Sequence, residues 1–164
     1  MPRRHSRRSE AVAATDHGVI FVVDIYSKSK RSEIMSCVRN RRTAPEDEVA
    51  ALLKGMGVKY RRNVKTISGQ PDFVVRSKST VIFVNGCFWH GHPNCNRAKL
   101  PKSNRRFWKR KIEGNRKRDE RIARLLRKEG WHVITVWQCA LRNPEHVLKR
   151  LRRMVVDKEL HRRS

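Results

Sequence analysis

At 164 residues the chain has room for one domain with a proper core and not for two. Lys and Arg number 40 against 15 acids, a formal net charge of +25, which far exceeds what solubility requires and points to a polyanion partner, most simply nucleic acid. No apolar run approaches the roughly 18 residues of a membrane span. Four Cys without a secretory signal argue for a reducing compartment and for thiolates that bind metal, so a cytoplasmic or nucleoid location is expected.

Residues 1–22 read as a disordered basic tail without sustained periodicity. Val23-Asp24-Ile25-Tyr26-Ser27 looks more like a natural beginning, with Val22 or Val23 encoded by the true start. The domain is expected over 23–158, followed by a basic C-terminal tail at 159–164. A short helix is expected at 30–40, with Ile34, Met35 and Val38 on one side. The next, at 44–54, opens on the capping-box pattern Thr43-Ala44-Pro45-Glu46, carries Val49, Leu52, Leu53 and Met56 on one face, and ends at Gly55 and Gly57. Strands follow at 58–62, 72–75 and 80–84. A long basic helix runs from about 104 to 129 and stops at Gly130, with a sparse apolar face of Phe107, Ile112, Ile122, Leu125 and Leu126. Trp131 to Trp137 alternates as a strand. Asn143 caps the last helix, with Pro144 in its first turn and Val147, Leu148, Leu151 and Val155 facing inward. The order α-β-β-β-α-β-α predicts an α/β fold, a mixed sheet flanked by helices.

Pro71 to Cys95 holds the densest chemistry. Cys87, His92 and Cys95 lie at spacings of five and three, and Cys139 follows the last strand. Three local ligands and one distant one suit tetrahedral zinc, and four ligands saturate the ion, so the site would be structural. The alternative is that Cys87 and Cys139 are small core residues. Cys37 has no place in this set and reads as an ordinary thiol.

Phosphodiester cleavage needs a nucleophilic water, charge neutralisation at phosphorus and a protonated leaving oxygen. Asp72 opens an apolar strand, where a buried acid is costly without a cation, and is the candidate ligand for a catalytic Mg²⁺. A solvated or turn-capping Asp is the plain alternative. The carbonyl of Val84 could add a second oxygen. His90 is the candidate general base, since imidazole moves protons near neutral pH; it competes with His92 for the zinc role, and spacing does not separate them.

QPDFVV, VIFVNGCFWHGHPNC, FWKRKIEGNRKRD and GWHVITVWQCALR together resemble the very short patch repair (Vsr) DNA mismatch endonucleases, over about residues 23–155. The resemblance implies a restriction-endonuclease-like fold with a structural zinc site. It also implies Mg²⁺-dependent nicking of duplex DNA 5′ to the thymine of a T:G mismatch, which would initiate very short patch repair. It places Asp72 on the metal-binding Asp, His90 on the catalytic His, and Cys87, His92, Cys95 and Cys139 on the zinc ligands. Glu46 falls on an acid near the active site, although a capping-box role explains it equally well. The family's best-known members have a second active-site His where this chain has Asn85, which cannot relay a proton but can hydrogen-bond a phosphate or a water. The chain also carries one residue more between His92 and Cys95.

Residues 97–128 hold fifteen Lys or Arg against three acids, Glu113, Asp119 and Glu120. Such density should bind phosphates with strong salt dependence. Lys109, Lys111, Asn115 and Arg116 are the candidate DNA contacts. The resemblance puts Phe88, Trp89 and Trp108 on the family's intercalating wedge, whereas Phe107 is expected in the core. The expected partners are double-stranded DNA with a T:G mismatch and mismatch-repair proteins, for a monomer that binds no membrane. The alternatives are a zinc-stabilised DNA-binding module lacking catalysis and a related nuclease with another lesion or sequence preference.

Overall fold

The computed structural model describes residues 42–155. The expected tails, the helix at 30–40 and Cys37 lie outside the described residues.

Helix α1 (Ala44–Gly55) begins as the capping box predicts, with Pro45 in its first turn. One oxygen of Glu46 accepts the Thr43 N–H at 3.3 Å and the Thr43 hydroxyl at 2.9 Å. Val49 and Leu53 of its predicted face are fully buried. Strand β1 (Arg61–Arg62) is shorter than the expected 58–62. Its first half is claimed by the helix end, because Val58 N–H donates to Leu53 O at 3.0 Å. Strands β2 (Phe73–Val75) and β3 (Thr80–Asn85) form the centre of the sheet. Helix α2 (Arg105–Lys128) crosses to β4 (His132–Trp137), and α3 (Pro144–Val155) closes the described chain. Asn143 caps α3 as expected, its Oδ1 accepting His146 N–H at 3.2 Å.

The sheet order is β1-β2-β3-β4, with the first two pairings antiparallel and β3/β4 parallel in the register Thr80↔His132 to Asn85↔Trp137. Alternation along the strands divides the core between two faces. Phe73, Val75, Ile82, Ile134 and Val136 pack with Val49 and Leu53 of α1 and Val147, Leu151 and Val155 of α3. Val74 and Val81 face the other way, against Ile67 and Leu126 of α2. The result is the expected mixed sheet flanked by helices. Along α2 the sides differ by a single position: Leu126 is fully buried, while Leu125 is 44% exposed and does not join the apolar face predicted for it.

This topology sets the site. Because β3 and β4 are parallel, both end at the same edge and deliver Asn85 and Trp137 side by side, with Cys87 and Cys139 two residues further on. Because β2 is antiparallel to β3, it starts at that same edge and brings Asp72 there.

Candidate active site and metal centre

Beyond β3 the chain folds back in a compact loop. His90 N–H reaches Gly86 O at 3.2 Å and His92 N–H reaches Cys87 O at 2.9 Å. Gly91 has φ +57°, and a Cβ there would lie 2.6 Å from Ile112 Cγ2 and 3.1 Å from Arg116 Cδ, so only glycine lets the loop lie against α2. The turn gathers the ligand atoms of Cys87, His92, Cys95 and Cys139 within 4.8 Å of one another. Tetrahedral zinc with these donors would set them roughly 3.6–3.8 Å apart, and Cys139 Sγ lies 3.3 Å from His92 Nδ1. The His92 ring stacks on Trp137 with centroids 4.1 Å apart and planes inclined by 14°, which fixes its orientation. Burial pushes the Cys87 thiol up to about 11, as expected of a thiolate donor without its cation. Three thiols and one imidazole in this arrangement can hold a metal ion. His90 is outside the cluster.

His90 turns instead toward α2, where its Nδ1 lies 2.5 Å from Asp119 Oδ2. Burial would raise the Asp119 carboxyl, but the hydrogen bond and charge of His90, with Arg118 at 3.1 Å, hold it below the usual carboxylate range. One helical turn earlier, Asn115 Nδ2 donates to Trp89 O at 2.9 Å. The inward stripe of α2 thus runs Trp108, Ile112, Asn115, Asp119, Ile122 and Leu126, with two polar residues among apolar ones.

Asp72 stands at the start of β2 with its Oδ2 accepting the Val84 N–H at 2.7 Å. Burial pushes its carboxyl up to about 6; the Val84 hydrogen bond opposes this, the Glu46 charge adds to it, and His90 and Arg62 pull it down. Glu46, only 4% exposed, therefore acts on Asp72 as well as capping α1. Its second oxygen accepts Arg42 N–H at 3.1 Å and lies 3.8 Å from Arg62 Nη2, which also binds Asp47 at 2.8 Å. Buried oxygens of this kind suit a hard divalent cation.

Phe88, Trp89 and Trp108 form one aromatic cluster, with ring centroids 5.2–5.8 Å apart. Phe107 extends it, edge-on to Trp108 at 5.2 Å, and is 53% exposed. The core position expected for Phe107 is therefore wrong: one residue along a helix is about 100° of rotation, and the inward place belongs to Trp108. Lys109, Lys111 and Arg116 are exposed on α2, Lys109 lying 4.0 Å from Glu113.

Residues 23–97 match the family described as DNA mismatch endonuclease Vsr. The chain is 42% identical to DNA mismatch endonuclease Vsr of Escherichia coli over 124 residues, covering 76% of this chain and 79% of that protein. It is equally similar, at 42% over 134 residues, to type II nicking enzyme V.NmeAIP of Neisseria meningitidis, covering 82% of this chain and 95% of the relative. The chain belongs to the Vsr DNA mismatch endonuclease family. It is thereby a member of a family of strand-nicking endodeoxyribonucleases. Among solved structures, the catalytic domain of homing endonuclease I-Bth0305I shares the fold, with a TM-score of 0.50 and 22% identity over 70% of this chain and 96% of that domain.

In this Vsr-family chain, Asp72, Glu46, Val84 and His90 act on one another at the strand ends, Asn85 closes β3 there, and the following loop carries three of the four residues that could hold a metal ion. Sequence reasoning missed Asp119, which it counted only as one of three acids in a basic segment. A signal was present: Asn115 and Asp119 interrupt the apolar stripe of α2 at a spacing of four, positions where polar residues need partners. Asn115 was expected among the DNA contacts, yet its amide is committed to the Trp89 carbonyl.

Proposed function

We propose that the protein nicks duplex DNA on the 5′ side of the thymine in a T:G mismatch, with Mg²⁺ as catalytic ion, and so begins very short patch repair. The observation that carries this reading is the His90–Asp119 pair beside Asp72 at one sheet edge. A proton-transfer group with a fixed tautomer, next to a buried acid, is the equipment of a hydrolase and not of a binding module.

Asp72 and the Val84 carbonyl would hold Mg²⁺, which when bound supplies charge neutralisation at the phosphoryl group and makes water more acidic. His90 presents Nε2 as the base, because its Nδ1 faces Asp119. A water oxygen adds to phosphorus as its proton passes to Nε2. The bond from phosphorus to the leaving sugar oxygen breaks, and that oxygen takes a proton from solvent. Asp119 holds the ring in place and stabilises the imidazolium formed on it. Asn85 orients a phosphate or a water, and Glu46 keeps the Asp72 region anionic.

Cys87, His92, Cys95 and Cys139 would hold Zn²⁺ as a closed structural site joining the 87–95 loop to the end of β4. Phe88, Trp89 and Trp108 enter the base stack, most cheaply at a mispair. Lys109, Lys111 and Arg116 neutralise phosphates, while Asn115 holds Trp89 in position for the wedge. The protein acts as a monomer in the bacterial cytoplasm. Among the described residues no helix is long and apolar enough to cross a membrane.

A panel of duplexes carrying each mispair, labelled on either strand, tests the assignment. A nick confined to T:G and placed 5′ to its thymine supports it. Equal nicking of every mispair would leave only a nuclease of other preference.

A further inference from the structure

At the sheet end opposite the active edge, β1 and β2 part. Had the register Arg61↔Val74 continued, Lys59 and Tyr60 would pair with Arg76 and Val75, but β1 starts only at Arg61. In the gap lies a cleft of about 520 Å³, within the range of ligand sites. Met56, Val58 and Tyr60 contribute a half-buried apolar floor, and Lys59, Arg61 and Arg76 stand at its rim with their side chains exposed. No acid is among the described residues that line it.

We propose that this cleft binds an extended acidic segment of a partner protein, one that sets an apolar side chain on the floor. The reasoning is complementarity of two kinds at once. The charged residues of the lining are all cationic, and the floor rewards a ligand that has apolar surface to bury. A DNA backbone offers phosphates but no apolar side chain, so it would leave the floor in water. An extended peptide has the right form, because Val75 of β2 pairs with β3 but has no strand partner among the described residues on its β1 side. The near end of the cleft, at Val74, lies two residues along β2 from Asp72, roughly 7 Å, and the rest of the lining extends away from the active edge.

The test uses a fluorescein-labelled peptide of alternating Asp and Val, read by anisotropy and by backbone amide shifts on the full chain. Controls replace Val by Ser or Asp by Lys. The proposal expects shifts confined to residues 56–61 and 74–78, and affinity lower by roughly tenfold or more for the Ser peptide and for R61E/R76E. Nicking and duplex affinity of that variant should equal wild type, since neither arginine belongs to the catalytic or DNA-binding machinery. Equal binding of the Ser peptide would reduce the cleft to bulk charge and overturn the proposal. So would shifts spread over α2, which need no variant to observe. Loss of duplex affinity in R61E/R76E would overturn it in favour of a DNA-backbone contact.

Discussion

His90 Nδ1 lies 2.5 Å from Asp119 Oδ2, a bond that ties the loop after β3 to the inward face of α2. It gives His90 one tautomer and one orientation. Asp119→Asn should therefore lower the nicking rate by about 10²–10³-fold with duplex affinity unchanged, because the amide can offer the ring its N–H and stabilise the wrong tautomer. His90→Ala should lose roughly hundredfold or more. Single-turnover rates and gel-shift affinities on the same preparations check both. If His90→Ala stays active while Asn85→Ala is dead, the base has been misassigned.

Asp72→Ala is expected to abolish nicking while duplex binding survives or tightens, since the change removes the proposed metal ligand and also a negative charge near phosphate. Residual cleavage within about tenfold of wild type would rule out Asp72 as the principal ligand.

With the Asp72 carboxyl raised to about 6, the proposed Mg²⁺ binding should be pH-dependent. Below that value the ion must displace a proton, so apparent Mg²⁺ affinity should fall roughly tenfold per pH unit on the acid side and level off above pH 7. For folding the sign is the reverse of an ordinary ion-paired Asp. A pKa raised in the folded state means that the metal-free protein loses stability as pH rises from the unfolded value toward 6. Mg²⁺ titrations at several pH values and melting curves without Mg²⁺ measure the two effects. A pH-independent Mg²⁺ affinity would count against Asp72 as a ligand.

Much of this fold could be read from pattern alone, because the signals were local. The capping box at Thr43 and Glu46, Gly130 after α2 and Asn143 before α3 each act within a few residues, and the observed element ends follow them. The ligand set was legible for the same reason, with three donors in one loop. What stayed hidden depended on contacts across the fold. His90 and His92 are distinguished only by what α2 and Trp137 place against them. Asp119 meets His90 across 29 positions. The N-terminal half of the expected first strand was lost to a hydrogen bond from Val58 to Leu53. Phe107 and Leu125 lie one residue to the side of the buried stripe, an error of rotation that composition cannot reveal.

Asn85 stands where the family resemblance leads one to expect a second active-site histidine. Asn85→Ala should cost much less than His90→Ala, because the role proposed for the amide is only to position phosphate or water. Asn85→His should leave the rate unchanged or raise it. A collapse of activity in Asn85→His, with fold and metal content intact, would mean that the site has adapted around the amide.

Removal of the proposed zinc should act on folding before it acts on chemistry. Cys139→Ser, or a chelator, is expected to unfold or aggregate the protein, since the four ligands tie the loop after β3 to the end of β4. Metal analysis with circular dichroism reports this, and a folded, fully active metal-free protein would refute it.

The most direct test of the central claim is single-turnover nicking of a labelled T:G duplex, with and without Mg²⁺, beside a T:A duplex of the same sequence. The proposed mechanism predicts one Mg²⁺-dependent nick 5′ to the mispaired thymine and none above background in the matched duplex. Tight binding to both duplexes with no nick in either would contradict it and leave a metal-stabilised DNA-binding protein.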